Sequence, residues 1–189
     1  RLSLGKVIRI MTDHELLKPS LALIAVVALF QGFHNVARTA YAADFLKLES
    51  SGVSALQLVA TSAVVAGALF VGRFMQSTQA LAKIKPLSLV GITGLSLLLI
   101  IATKSSTIGF ASYFIFIFLF EVAFTRIQNQ IVVQCPKEAA PSILSVLNAT
   151  LISSLGVAIL VIGAFVDRFG LVLSVWSITL AATAFWAAS

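Results

Sequence analysis

Charged side chains are scarce in this sequence. Only 11% of its 189 residues are Asp, Glu, Lys or Arg, whereas an average soluble domain has about 25%. Hydrophobic residues make up 59%, and the mean hydropathy is +1.05. A chain with so few charges cannot cover a folded surface with polar groups. The composition therefore excludes an ordinary soluble domain and predicts an integral membrane protein, with the lipid bilayer as its surroundings.

Residues that build catalytic and metal sites are also few. The lone Cys135 excludes an intramolecular disulfide and a metal site built on cysteines. His14 and His34 lie on different segments, so no metal and no cofactor are predicted. The sequence has no phosphate-binding glycine loop, no His-Glu-x-x-His helix and no serine elbow, and we predict no enzyme. The net charge of +6 comes without a basic patch interleaved with aromatics, so nucleic acid is not an expected partner.

Six apolar runs, separated by charges, prolines and glycines, account for most of the chain. Each is about as long as the ~20 residues that a helix needs to cross a bilayer, and the third is the shortest. The sequence therefore predicts an all-α bundle of six transmembrane helices (residues 19–189) after a basic surface or linker segment (residues 1–18). The predicted spans are residues 19–43, 55–74, 87–102, 108–133, 143–166 and 171–188.

Lysine and arginine are distributed unevenly between the two sides of this predicted topology. Eight of the thirteen fall on the side of the N-terminus and three on the other, while Arg38 and Arg126 lie inside spans. Because basic loops tend to remain in the cytoplasm, both termini are predicted to be cytoplasmic in a plasma or inner membrane.

Short sequence matches indicate an internal repeat. Val71-Gly72-Arg73-Phe74 ends the second run, and Val166-Asp167-Arg168-Phe169 ends the fifth. Arg38-Thr39 in the first run likewise parallels Thr125-Arg126 in the fourth. The chain thus divides into two units of three helices. An odd number of spans per unit inverts the second unit in the membrane, which is typical of secondary transporters.

The first run carries polar residues at membrane depth, where such residues are costly and usually functional. Gln31, Asn35 and Arg38 share one face of the predicted helix, and His34 lies just beside it. Two interpretations remain open. The stripe faces a pathway for a substrate or ion, or it stabilises a contact with another helix through hydrogen bonds. The imidazole of His34 would suit proton coupling at neutral pH.

The fourth run begins with closely spaced phenylalanines and ends in polar residues. Glu121, Thr125 and Gln128 share one face, whereas Arg126 lies about 140° away and needs another helix or the headgroup region. A carboxyl at mid-span changes its protonation with its access to water, so Glu121 is the candidate proton-responsive group. A structural carboxyl, or a carboxylate held by a cation, is the alternative. Asn148 in the fifth run is a further candidate.

The fourth and fifth runs also carry a resemblance to a known family. Pro136-Lys137-Glu138-Ala139-Ala140-Pro141, Ser145-Val146-Leu147-Asn148 and Ser154-Leu155-Gly156 precede Gly163-Ala164-Phe165-Val166-Asp167-Arg168-Phe169-Gly170. This order is similar to helices ten and eleven of drug- and siderophore-exporter-like members of the major facilitator superfamily. Nearly the whole chain resembles the C-terminal six-helix half of such a twelve-helix transporter, and residues 1–18 resemble the end of its central linker.

The resemblance implies alternating access, with the first and fourth helices lining a central cavity and the second and fifth contacting the other half. The expected function is proton-coupled efflux, by antiport, of a small, partly apolar compound. The expected partners are that substrate, the proton, and a missing N-terminal half or a second copy. Uptake of an anionic metabolite, or a non-transporting membrane subunit or sensor, are the alternatives. The expected substrate or ion site consists of Gln31, His34, Asn35, Arg38, Glu121, Thr125 and Gln128, with Arg126 and Asn148 as secondary candidates.

Overall fold

The computed structural model describes residue 5 and residues 14–75 and 84–187. Every regular element in these residues is a helix. Within the described residues, four helices are long and apolar enough by length and composition to cross a membrane, and a fifth, of 16 residues, is shorter. The predicted all-α, membrane-compatible class is therefore confirmed. The four long helices are Leu16–Phe45, Ser50–Phe74, Ser106–Gln134 and Ala140–Ala187, and the shorter one is Pro86–Ile101.

We number the helices along the chain. Helix α1 is continuous from His14–Ala25 through Val26–Gln31 and Gly32–Ala40 to Tyr41–Phe45, and its second and fourth parts are π-helical. Its first five residues belong to the predicted linker, of which residues 1–4 and 6–13 lie outside the described residues. The next helices are α2 (Ser50–Phe70, extended by the π-helical Val71–Met75), α3 (Pro86–Ile101) and α4 (Ser106–Gln134). The last two are α5 (140–169) and α6 (171–187), the two arms of Ala140–Ala187.

Local residue chemistry explains several helix ends. Cys135 has extended backbone (φ −72°, ψ 131°) because the following Pro136 disfavours a helical conformation, and α4 ends there. Pro86 occupies the first turn of α3, where its missing N–H costs nothing. Gly170 has φ +80° and ψ 169°, a backbone conformation that residues with a Cβ rarely adopt. This glycine interrupts a 48-residue helix and separates α5 from α6.

Helices α1 and α4 run antiparallel through the centre of the bundle. The ring of Phe30 packs edge-on against Phe116, with centroids 6.1 Å apart. Eleven residues later on α1, Tyr41 Oη donates a hydrogen bond of 3.2 Å to the carbonyl of Gly109, which lies seven residues before Phe116 near the start of α4. Phe30, Phe116 and Tyr41 are fully buried and form the middle of the core.

Helices α3 and α6 also run antiparallel, and they approach closely through small residues. A Cβ added at Gly94 would lie 2.4 Å from Ala182 Cβ, and one at Gly91 would lie 2.7 Å from Trp186 Cβ. Thr179 Oγ1 donates a 3.0 Å hydrogen bond across the contact to the Gly94 carbonyl. Small side chains at such contacts allow backbones within membranes to pack closely.

The remaining contacts place α2 beside α4 and α5 beside α1. A Cβ added at Gly67 of α2 would lie 2.8 Å from Glu121 Cβ on α4. On the other side, a Cβ added at Gly32 of α1 would lie 3.1 Å from Ala158 Cβ on α5. Helices α4 and α1 therefore form the centre of a row whose outer members are α2 and α5.

Candidate functional site

The polar stripe of α1 contacts both neighbouring helices near Arg38. Arg38 Nη1 donates a hydrogen bond to Gln57 Oε1 of α2. One turn earlier, His34 Nδ1 lies 2.8 Å from Tyr113 Oη of α4, at hydrogen-bond distance. Arg38 and His34 are half-buried, and Tyr113 is buried. The arrangement joins α1, α2 and α4, and we call these four residues the Arg38 cluster.

Within residues 14–75 and 84–187, Arg38 has no carboxylate partner; its hydrogen bond goes to the neutral amide of Gln57. Asn35, on the same helix, is exposed, and Gln31 is half-buried. A guanidinium offers several N–H donors in a planar array that matches a carboxylate or phosphate. The Arg38 cluster therefore has the chemistry of an anion-binding site.

A second polar cluster surrounds Glu121 on α4. Thr125 Oγ1 donates a 2.8 Å hydrogen bond to Glu121 Oε1. Gly67 of α2 lies directly against the Glu121 side chain, since a Cβ there would be 2.8 Å from Glu121 Cβ. Glu121, Thr125 and Gln128 are all half-buried. We call Glu121, Thr125 and Gly67 the Glu121 cluster; it lies near the middle of α4 and has the chemistry to hold a proton or a cation.

The two clusters lie at different depths in the bundle. The contact between His34 and Tyr113 gives a common reference level on α1 and α4. Arg38 follows His34 by four residues and Glu121 follows Tyr113 by eight. Because the two helices are antiparallel, these two displacements point in opposite directions along the bundle and add up. Twelve residues at a rise of ~1.5 Å correspond to about 18 Å along the bundle axis. The contacts of α2 agree, because Gln57 and Gly67 are ten residues, or about 15 Å, apart. The predicted site residues of α1 and α4 therefore fall into two groups at different depths.

The two secondary candidates, Arg126 and Asn148, differ in their surroundings. Arg126 is half-buried, about 140° around α4 from Glu121, and it has a polar, ring or electrostatic contact of its own. Asn148 is exposed on α5.

Two residues of the Arg38 cluster were not among the predicted site residues. Tyr113 lies in the phenylalanine-rich part of α4, and its hydroxyl is the feature of the sequence that could have marked it as a polar site residue. Gln57 is the sole side-chain amide in the apolar run of residues 55–74, and this isolation could have marked it in the same way. Both polar groups became recognisable only through their partners on α1.

Two cavities of about 520 Å³ each lie beside α1, one at its C-terminal end and one along α5. The first contains two exposed carboxylates, Asp44 and Asp167, and the second is almost wholly apolar. The first is lined by Ala40, Asp44, Phe45, Val166, Asp167, Phe169, Gly170, Leu171 and Val172. The second is lined by Ala28, Leu29, Thr150, Ser153, Ser154, Val157, Ala158, Val161 and Ile162.

The described part of the chain contains no group of three or more His, Cys, Asp or Glu side chains arranged to hold a metal ion. The Arg38 cluster combines a guanidinium with amide, imidazole and phenol neighbours, and the Glu121 cluster combines a carboxyl with a hydroxyl donor. No family model, no curated protein and no solved structure matches this chain.

Proposed function

We propose that this chain is a secondary active transporter that works by alternating access and exports a small, partly apolar compound in exchange for protons. The observation that carries the proposal is the partial exposure of Arg38 and Glu121, which lie outside the closed apolar core. A charge at mid-membrane costs about 2.5–3.5 kcal/mol on insertion scales, so it is rarely retained without a function. Partial exposure on helices of spanning length is what a solute pathway requires.

The proposed architecture has six spans in two inverted units of three, equivalent to half of a twelve-helix major facilitator. The antiparallel pairs α1/α4 and α3/α6 support it, because inversion relates the first helix to the fourth and the third to the sixth. Alternating access needs two such bundles, so the partner is an N-terminal half or a second copy. We place the protein in a plasma or inner membrane with both termini in the cytoplasm.

Each cluster has a role in this proposal. Arg38 and Asn35, with Gln31 and His34 nearby, contact the transported compound. Glu121, supported by Thr125, takes up and releases the coupling proton as its access to water changes. The separation of about 15–18 Å allows substrate and proton to bind at different places on one pathway.

The decisive experiment replaces Glu121 by glutamine, which keeps the shape of the side chain and removes its titration. The purified protein is reconstituted into liposomes, and proton flux is recorded after a pH gradient is imposed and members of a panel of acidic, basic and neutral amphiphiles are added. Glu121→Gln is expected to abolish compound-driven proton flux. Glu138→Gln, which alters an exposed carboxylate between α4 and α5, is the matched control and should leave the flux unchanged.

Unchanged gradient-driven flux in Glu121→Gln would remove this residue from the mechanism. Absence of flux with every member of the panel would instead contradict transport and favour a membrane subunit or sensor, for which Arg38→Ala and Asn35→Ala should be harmless. The remaining alternative is uptake of an anionic metabolite held by Arg38 and Arg126. Comparing inside-out with right-side-out vesicles distinguishes uptake from efflux.

A further inference from the structure

The geometry of the two clusters points to a substrate class, and this inference rests on the transport function proposed above. We propose that the substrate is an amphiphilic monoanion, with its acidic group bound at Arg38 and its apolar body extending along α4 toward Glu121. Three features carry the proposal: the charge at one end of the pathway, the apolar side chains between the clusters, and the carboxyl at the other end.

The first feature is the charge around Arg38. Its hydrogen-bond partner is the neutral Gln57, and no carboxylate pairs with it in the described ranges 14–75 and 84–187. Along α1, the next acidic residue is the exposed Asp44, six residues or about 9 Å away. Glu121 is farther still. An arginine held by a neutral amide retains its full charge for an acidic ligand, and a guanidinium can bind a carboxylate through two hydrogen bonds.

The second feature is the apolar surface between the clusters. Phe114 and Phe118 follow one another by a single turn of α4, and Glu121 continues the same face. The Phe114 and Phe118 rings are stacked with centroids 6.3 Å apart, and Phe118 also contacts Phe70 of α2, at 5.5 Å. All three rings are half-buried. Sites for small molecules are commonly mainly apolar with a few fixed polar groups, and this surface has that composition.

The third feature is the position of Glu121 at the far end of this surface. A carboxylate at this position repels a second acidic group placed at the same depth, whereas an apolar tail carries no charge for it to repel. A site can reject a competitor by such repulsion as well as by weaker attraction. The arrangement therefore selects a monoanion over a dianion of the same length, and Arg38 selects it over a cation.

A series of ten-carbon probes tests this selection. Binding of radiolabelled decanoate to the protein in nanodiscs is measured by equilibrium dialysis, with empty nanodiscs subtracted. Decylammonium and sebacate, of equal chain length, serve as the cationic and dianionic competitors. Decanoate is expected to bind saturably, and each competitor is expected to displace it at least tenfold more weakly than unlabelled decanoate does.

Variants link the selection to the Arg38 cluster. Arg38→Gln should weaken decanoate binding at least tenfold, and Arg38→Lys should weaken it less. Gln57→Glu keeps the arginine but gives it an anionic partner from an exposed position on α2, and it should also weaken binding at least tenfold. Arg168→Gln removes an exposed arginine at the end of α5 that lies over the Phe169 ring, and this matched control should leave binding unchanged.

Equal binding of decanoate and decylammonium would overturn the inference. So would a folded Gln57→Glu variant that binds decanoate as the unaltered protein does. The transport proposal fails separately. Saturable, Arg38-dependent decanoate binding without compound-driven proton flux would contradict transport only, whereas proton flux driven by cationic or neutral amphiphiles but not by decanoate would contradict the substrate class only.

Discussion

The contact between α3 and α6 permits a quantitative test of how the bundle packs. Replacing Gly94 by alanine would place its Cβ 2.4 Å from Ala182 Cβ, whereas non-bonded carbons normally lie about 3.5–4.0 Å apart. Neither atom is the end of a flexible side chain, so the two backbones would have to move apart. That movement would also stretch the 3.0 Å hydrogen bond from Thr179 to the Gly94 carbonyl.

The expected energy follows from two opposing effects. Overpacking a filled contact typically costs about 1–3 kcal/mol. Alanine is also a better helix former than glycine by about 1 kcal/mol, which partly hides the clash in the single variant. Ala182→Gly removes the methyl group on α6 that opposes Gly94. In the double variant Gly94→Ala/Ala182→Gly, the contact again contains one methyl group, now on α3, and the clash is relieved. Because the helix-propensity effects cancel in the double-mutant cycle, a coupling free energy of about 1–3 kcal/mol remains.

The free energy of unfolding of the four proteins is measured in mixed micelles by tryptophan fluorescence. Trp186 is a suitable reporter because it packs on Gly91 in the same contact. The comparison cycle combines Ala182→Gly with Gly156→Ala. A Cβ at Gly156 meets nothing within 4 Å, so this second cycle should be additive.

Additivity of Gly94→Ala and Ala182→Gly to within about 0.5 kcal/mol would refute the reasoning. In that case α3 and α6 would not approach at this pair. Coupling in the comparison cycle as large as that at Gly94 would equally contradict it, because the effect would then not depend on the contact.

Two further predictions concern the clusters. Gly67→Ala would bring a Cβ 2.8 Å from Glu121 Cβ and 3.0 Å from the Phe118 carbonyl oxygen. It should therefore displace Glu121 and lower compound-driven proton flux severalfold. Flux equal to that of the control variant Gly156→Ala would count against this contact. Tyr113→Phe removes the phenolic hydroxyl that lies at hydrogen-bond distance from His34. It should lower the free energy of unfolding, measured in the same micelle assay, by about 0.5–1.5 kcal/mol. An unchanged free energy of unfolding would contradict a contribution of this pair to the stability of the bundle.

Much of the local structure was predictable because it depends on neighbouring residues. Apolar runs of spanning length predict helices, and the structure is helical throughout its described elements. Breaker residues also act locally: the predicted separation between the fifth and sixth runs included Gly170, where the long helix is interrupted. By contrast, the π-helical turns at Val26–Gln31 and Tyr41–Phe45 in α1 had no evident signal in the sequence.

The candidate site was predictable only in part. Glu121 and Thr125 are four residues apart, so helical periodicity alone places them on one face, and their hydrogen bond is a local contact. The partners of Arg38 and His34 are instead 19 and 79 residues away along the chain. Side-chain spacing within one helix contains no information about which residue of another helix it will meet.

The sequence by itself determined that the chain forms apolar helices and which polar residues share a face of each one, because both follow from composition and from a period of 3.6 residues. Only the tertiary structure decided that Arg38 meets Gln57, that Gly67 lies against Glu121, and that the two clusters are separated by about 15–18 Å. The physical reason is that helix pairing and relative depth are set by how whole surfaces of small and large side chains fit together. That fit is a property of pairs of helices rather than of either helix alone.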